Sequence, residues 1–232
     1  MEKKTPRPLV LQEQEEKLPE WNQADADSFA AFADEIFAPI YPYLVQDIRS
    51  VLGHSLDGLR VLEIGGGVGN MALELLRAGV TSLDALDVSP AMLEKTRRRL
   101  EAFPEVLPRF KTHNGDAGSL PFQNGLFDVV FSRGSIQFWP DIPAALHEMK
   151  RVLQPRGLVY VGGGFGLSTP THLKKEIFAE RERRMAERSD LKPIPSLNHA
   201  EILELVRKIG GQANTIMDGN GFWLQWFPGK TA

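Results

Sequence analysis

A cluster of glycines between an apolar run and a helical segment is the feature that most constrains how this chain folds. The segment VLEIGGGVGN, residues 61–70, predicts the end of a buried strand, a glycine turn and the start of a helix. Glycine at such a junction allows the backbone to approach a ligand closely, in front of the amide groups of the helix. The segment therefore predicts a ligand site, although the glycines alone are also compatible with a tight turn that binds nothing.

Short apolar runs alternate with helical segments along the chain after Gly58. Strands are predicted at LRVLEI, SLDALDV, residues 109–113, LFDVVFS and GLVYVGG. Ser89 before Pro90, and Asn198 three residues before Glu201, are typical of helix starts. Strands separated by helices of about ten residues predict a mostly parallel α/β sheet. The last segment, GGQANTIMDGNGFWLQWF, predicts a hairpin.

The spacing of the glycines narrows the choice of ligand. A nicotinamide-binding turn has the pattern G-x-G-x-x-G, and from Gly65 its third glycine would fall on Asn70. The observed glycines are instead Gly65, Gly67 and Gly69. No Lys-Ser or Lys-Thr pair follows them, so the loop lacks the cation that a nucleoside triphosphate requires. The spacing excludes a triphosphate and makes a dinucleotide a distant alternative.

Two acidic residues follow at the ends of later predicted strands. Asp87 lies 18 residues after Gly69, where an acidic side chain can accept both ribose hydroxyls of a nucleoside, although it could also cap the next helix. Asp116, with Ala117 beside it, suits the exocyclic amine and face of an adenine, but NGD is also an ordinary turn sequence. Because carboxyl ends of parallel strands share one edge of a sheet, these segments are expected to lie together.

These motifs, in this order, resemble the class I S-adenosylmethionine-dependent methyltransferases. The resemblance rests on EIGGGVGN, Asp87, NGDAGSLPF, FDVVFS and MKRVLQPRGLVYV, and covers roughly residues 59–161. It implies a Rossmann-like, doubly wound, seven-stranded sheet whose last strand is antiparallel. It also implies S-adenosyl-L-methionine as cofactor, with Glu63 and Gly65 near the methionine end and Asp87 on the ribose. The cofactor carries no phosphate, in agreement with a loop that has no lysine.

The resemblance further implies a set of contact residues, and no catalytic residue is assigned. The predicted cofactor contacts are Glu63, Gly65, Gly66, Gly67, Gly69, Asp87, Val88, Asp116, Ala117 and Ser132. The candidate acceptor contacts are Tyr41, Arg133, Phe138 and Trp139. Tyr41 lies in FAPIYP, a segment that is expected to separate two N-terminal helical pieces and to cover the site. Phe138 and Trp139 either line an acceptor pocket or complete the core.

The predicted function is methyl transfer to a small molecule by in-line displacement. The Asn/Asp-Pro-Pro-aromatic pattern of base methylases is missing after the fourth strand, which disfavours nucleic-acid bases. Methylation of RNA or protein stays an alternative if Arg181, Arg183, Arg184 and Arg188 gather beside the site, as does a module that only senses the cofactor. His147 is a possible general base, but a surface position is the simpler interpretation.

The charge and composition of the chain exclude or disfavour several further kinds of function. The formal charge of −3 disfavours broad binding to nucleic acid, and with no cysteine the chain has neither disulfides nor thiolate metal sites. The histidines lack metal-binding spacing, and the sequence shows neither a signal peptide nor an apolar stretch of roughly 18 residues. We expect a cytoplasmic monomer or homodimer that does not contact membranes.

Residues 1–24 are expected to form a flexible tail and residues 25–232 one domain, with lid helices at 25–52 and a helical insertion at 165–196.

Overall fold

The computed structural model describes residues 33–186, 196–217 and 221–230. Seven strands form one sheet in the order β3-β2-β1-β4-β5-β7-β6. The strands are β1 Arg60–Ile64, β2 Ser82–Asp87, β3 Phe110–Asn114, β4 Phe127–Arg133, β5 Leu153–Gly163, β6 Gln212–Met217 and β7 Phe222–Phe227. The first five run parallel, and β7 is antiparallel to both β5 and β6. This architecture confirms the predicted seven-stranded sheet with an antiparallel last strand.

The main helices connect the strands and cover both faces of the sheet. They are α1 Tyr41–Leu52, α2 Asn70–Arg77, α3 Pro90–Glu101, α4 Ile142–Val152, α5 Thr171–Ala186 and α6 His199–Ile209. The predicted helix starts are confirmed, because the Ser89 hydroxyl accepts the Met92 N–H and the Asn198 side chain accepts the Glu201 N–H. None of the helices in the described ranges is long and apolar enough to cross a bilayer.

The core occupies both sides of the sheet because the central strands are buried on both faces. Along β4, Val129 and Phe131 pack with α1 and α2, whereas Val130 between them packs with α4 and α6. Side chains that alternate along a strand point to opposite faces, so one continuous apolar run serves two layers. Five parallel strands held in this way bring their carboxyl ends to one edge of the sheet.

The segment before α1 changes helix type where a break was expected. Ala33–Phe37 forms a π-helical turn, Ala38–Ile40 a 3-10 turn, and α1 starts at Tyr41. Pro39 and Pro42 each stand in the first turn of their element, where a missing N–H costs no hydrogen bond. The predicted tail, the start of the predicted lid, residues 187–195 of the predicted insertion and residues 218–220 of the predicted hairpin turn lie outside the described residues.

One strand differs in length from its prediction. The sequence predicts β5 from Gly157, but the strand begins at Leu153, which pairs with Phe127. The register between β4 and β5 shifts after that pair, and this irregularity accommodates Pro155, which cannot donate to a regular ladder. Pro155, which precedes the predicted strand, therefore lies within the observed one.

Candidate cofactor and acceptor site

The glycine loop joins β1 to α2 and requires glycine for two separate reasons. Gly65, Gly67 and Gly69 have φ angles of 65°, 60° and 83°, the left-handed region that side chains disfavour. At Gly66 the constraint is space, because a Cβ atom there would lie 2.6 Å from the carboxyl carbon of Glu63. The loop therefore presents main chain, free of side chains, above the end of β1.

Glu63 carries a buried carboxyl group beneath this loop. Its side chain is 2% exposed, and its Oε2 has no hydrogen-bond partner among the described residues. Burial, and secondarily the charge of Asp87, raises the pKa of Glu63 to about 8. An ionised carboxylate is costly to bury without a partner, so a bound cation would favour its ionised form.

Asp87, at the end of β2, touches the glycine loop directly. Its carboxylate accepts the Ser89 N–H at 2.9 Å and also the N–H groups of Gly67 and Val88. Burial raises the pKa of Asp87 to about 6, although these three hydrogen bonds act in the opposite direction. The Gly65 N–H also donates to the carbonyl of Leu86 at 2.8 Å. The loop and the acid therefore lie on the same side of the molecule.

The end of β3 lies beside the end of β2. Asn114 donates from its side chain to the carbonyls of Asp87 and Val88, both at 3.0 Å. Asp116 follows and accepts the Gly118 N–H at 2.7 Å, while Ala117 is buried. The Val88 side chain is 55% exposed at this edge. Next to Asp87, the structure thus brings together an exposed apolar side chain and a half-buried carboxylate.

A serine that sequence reasoning missed joins the end of β1 to the end of β4. Ser135 donates to the carbonyl of Ile64 at 3.2 Å and lies 2.6 Å from the hydroxyl of the fully buried Ser132. A Cβ on Gly65 would lie 2.4 Å from the Cβ of Ser135. The hydroxyl also accepts the indole N–H of Trp139 at 3.1 Å. Ser135 therefore fixes the loop after β4 against the glycine loop.

Helix α3 holds the glycine loop from its other side. The Thr96 hydroxyl is 2.8 Å from the Gly67 carbonyl, to which it donates, and Arg99 donates to the Val68 carbonyl at 2.7 Å. Arg99 also pairs with Asp34 at 2.6 Å. Neither residue was predicted. Thr96 and Arg99 are three residues apart and therefore lie on one face of α3, but no sequence pattern indicates that this face contacts the glycine loop.

Arg133 lies at the end of β4, on the side away from Asp87. Its guanidinium is 4.4 Å from the ring centre of Phe37 and 5.6 Å from that of Tyr41, and its Nε donates to the Gly164 carbonyl at 3.3 Å. The guanidinium also lies within hydrogen-bonding reach of the Tyr41 hydroxyl. Burial is the main cause that lowers the pKa of Arg133 and raises that of Tyr41. Arg133 therefore connects three parts of the chain, namely the N-terminal segment, β4 and the end of β5.

The other predicted acceptor contacts have different surroundings. Trp139 is 8% exposed and packs in the apolar layer beneath α4, which favours its interpretation as a core residue. Phe138 is half-buried in the 3-10 turn Ile136–Phe138. His147 is exposed on α4, in agreement with its surface interpretation. Of the four candidates, Tyr41 and Arg133 are in contact with each other at the edge of the sheet.

The comparisons with known proteins agree with this geometry. A family model described as a methyltransferase domain matches residues 61–157. A protein of Methanococcus maripaludis, whose crystal structure is assigned to the S-adenosyl-L-methionine-dependent methyltransferases, has a TM-score of 0.77. It is 28% identical to this chain and covers 94% of this chain and 98% of its own.

Two curated relatives match over shorter stretches. The malonyl-[acyl-carrier protein] O-methyltransferase of Halorhodospira halophila is 32% identical over 72% of this chain and 52% of its own length. The 2-methyl-6-phytyl-1,4-hydroquinone methyltransferase 2 of Oryza sativa subsp. japonica is 36% identical over 53% of this chain and 33% of its own length. The chain thus spans about half or less of the length of these relatives.

The fold, the matched domain and the solved structure identify the chain as a member of the class I S-adenosylmethionine-dependent methyltransferases. This confirms the family that the motifs resemble, and with it the predicted cofactor, S-adenosyl-L-methionine.

Proposed function

We propose that this chain transfers a methyl group from S-adenosyl-L-methionine to a small-molecule acceptor. The observation that carries the proposal is the contact of the Asp87 carboxylate with the Gly67 N–H, with the unpartnered Glu63 carboxyl beneath the same loop. We assign Asp87 to the nucleoside of the cofactor and Glu63 to its amino-acid end. A cofactor with a sugar at one end and an ammonium at the other matches this pair.

The residues present fit this cofactor. The Glu63 carboxylate would accept its α-amino group, which supplies the cation that the buried Oε2 lacks. Asp87 keeps acceptor capacity beyond its three N–H partners, and this would bind the ribose hydroxyls. The bare glycine main chain permits the close approach. Val88, Asp116, Ala117 and Ser132 would complete the contacts, together with Gly65, Gly66, Gly67 and Gly69.

The cofactor, when bound, supplies a methyl group already activated by a positive sulfur. The tasks left to the protein are to orient the acceptor in line with the sulfur–carbon bond and to exclude water. The chemistry that the cofactor would supply is displacement at the methyl carbon by the acceptor nucleophile, with the electron pair of the broken bond retained by sulfur. Phe37 and Tyr41, held against Arg133, would cover the acceptor side as part of the lid.

The charges of α5 favour a small acceptor over RNA. Arg183 pairs with Glu180, and Arg184 pairs with both Glu180 and Glu35, so these two arginines are already neutralised by carboxylates. Arg188 lies outside the described residues. A surface for a polyanion needs several unpaired cations. By name, the two curated relatives act on a malonyl-[acyl-carrier protein] and on a hydroquinone, and neither acceptor is a nucleic acid.

Calorimetric titration tests the cofactor assignment. S-adenosylhomocysteine should bind the wild-type chain, whereas NAD and ATP should not. Asp87→Ala should weaken S-adenosylhomocysteine binding by at least about 100-fold, because two charge-assisted hydrogen bonds are lost.

Asp84→Asn is the matched control, since this acid lies on the same strand and contacts His113 at 2.6 Å instead of the loop. Unchanged affinity in the Asp87 variant would refute the ribose assignment. A chain that binds the product and never turns over S-adenosylmethionine with any acceptor would be a sensing module instead.

A further inference from the structure

Arg133 is a half-buried cation that has no carboxylate partner among the described residues. Its contacts in the described part of the chain are two aromatic rings, the Tyr41 hydroxyl and the Gly164 carbonyl. None of these neutralises its charge. Other arginines in this part of the protein are paired, since Arg99 binds Asp34 and Arg184 binds Glu35.

A second arginine without a carboxylate partner in the described ranges lies on α5, the helix bonded to the segment before α1. Arg181 lies on α5 one turn after the buried Ile177 and three residues before Arg184, which is bonded to the segment before α1. Residues at these spacings share one helix face, so Arg181 points toward the Phe37 and Arg133 region. From that face the charge of Arg181 acts on Arg133 and lowers its pKa, although burial is the largest cause. Arg181 has no carboxylate partner in the ranges that the structure describes.

Two like charges on neighbouring elements repel each other, and an anion bound between them would relieve this repulsion. The aromatic rings offset part of the cost for Arg133, since a cation over a ring is worth about 0.5–2 kcal/mol. They do nothing for the mutual repulsion of the two arginines. The planar guanidinium offers paired N–H donors whose geometry matches a carboxylate, so the chemistry that fits this gap is a carboxylate.

We propose that the methyl acceptor carries a carboxylate that binds between Arg133 and Arg181. The inference rests on the proposed function and specifies the substrate class of that site. The acceptor, and not the cofactor, is the assigned source of the carboxylate, because Arg133 lies over the ends of β4 and β5 while Asp87 and its loop contacts lie at β1 and β2. Glu63 interacts electrostatically with both regions, since the charge of Asp87 raises the pKa of Glu63 and the charge of Glu63 raises that of Tyr41.

The test compares simple carboxylates with their neutral amides on protein saturated with S-adenosylhomocysteine. Acetate, hexanoate and benzoate are titrated beside acetamide, hexanamide and benzamide. At least one acid should bind about tenfold or more tightly than its amide, since charge-assisted hydrogen bonds are roughly twice as strong as neutral ones. Arg133→Gln and Arg181→Gln should each remove this preference, while Arg133→Lys should retain part of it.

Arg183→Gln is the matched control on the same helix, because Arg183 is exposed and paired with Glu180. Acids and amides that bind equally, or an acid preference that survives both glutamine variants, would overturn the proposal. Thermal unfolding of each variant establishes that it is folded.

A second titration identifies the source of the carboxylate. 5′-Methylthioadenosine contains the nucleoside and the sulfur of the cofactor but lacks its amino-acid carboxylate. If Arg133→Gln weakens S-adenosylhomocysteine binding and leaves 5′-methylthioadenosine binding unchanged, the arginine binds the cofactor and the acceptor assignment is wrong. If the wild-type chain binds neither compound, the proposed function itself fails, which is a different result from carboxylates failing on protein that binds S-adenosylhomocysteine.

Discussion

Replacing Glu63 by glutamine tests whether its buried carboxyl group binds the cofactor ammonium. With a pKa of about 8, Glu63 is mostly protonated at neutral pH in the ligand-free protein. An ammonium binds the ionised form, so binding must release a proton at any pH below 8. The affinity for S-adenosylhomocysteine should therefore rise with pH until Glu63 is ionised without ligand.

The size of this effect follows from the pKa. Each pH unit below the pKa of Glu63 should reduce the affinity about tenfold, which gives roughly a 30-fold loss at pH 6.5 relative to the plateau above pH 8. The range from pH 6.5 to 8 separates Glu63 from Asp87, whose pKa is about 6. In Glu63→Gln the slope should vanish over this range, and the plateau affinity should fall because the ammonium loses its charged partner.

Isothermal titration at three pH values, in buffers with different ionisation enthalpies, measures both the affinity and the number of protons released. Glu74→Gln is the control, because this acid lies on α2 after the loop and pairs with Arg77 near the surface. The reasoning is refuted if the wild-type affinity is flat across the range, or if the slope persists in Glu63→Gln.

The same pKa predicts how stability changes with pH in the ligand-free protein. A carboxyl group whose pKa is raised by folding binds its proton more tightly in the folded state, so the stability is greatest below its ordinary pKa of 4.5 and is lost as the pH rises toward 8. The loss is on the order of 3–5 kcal/mol at about 1.4 kcal/mol per unit. Urea unfolding should show this decrease in the wild type and a weaker one in Glu63→Gln.

Two further substitutions test the loop and the lid. Gly65→Ala should lower the free energy of unfolding by about 1–3 kcal/mol in urea titrations, because it strains a φ of 65° and places a methyl group against Ser135; unchanged stability would show that the loop adapts. Tyr41→Phe removes the hydroxyl beside Arg133 and should lower turnover several-fold with the affinity for S-adenosylhomocysteine unchanged. Equal turnover in the two proteins would remove Tyr41 from the acceptor side.

Much of the fold could be predicted because its signals are local. The apolar run at β4 is continuous, since Val129 and Val130 are buried on opposite faces, and Ser89 caps a helix within three residues of itself. The start of β5 could not be predicted, because Pro155 and the glycine after it normally end a strand. Its pairing with β4 through a register shift is a property of two strands together.

The residues of the candidate site also fall into two groups, those with local signals in the sequence and those whose contacts are distant in sequence. The glycine positions could be predicted because each depends on its own φ angle or on a side chain only three residues away. Ser135 could not, since its hydroxyl reaches the carbonyl of Ile64, 71 residues earlier, and a small polar residue in a loop gives no signal of that contact. Arg99 was missed for the same reason, because both Val68 and Asp34 are distant in sequence.

The proposed cofactor side and the proposed acceptor side of the site consist of different kinds of groups. The cofactor half consists mainly of main chain at strand ends, where a side chain added at Gly65 or Gly66 would overlap its neighbours, so few substitutions are tolerated. The proposed acceptor half consists of groups from three separate segments that meet at Arg133. Substitution at 133 or 181 leaves the loop and Asp87 in place, because neither side chain contacts them within the described residues. Substitutions on the proposed acceptor side should therefore change acceptor binding and leave cofactor binding intact, which the Arg133 and Arg181 variants test.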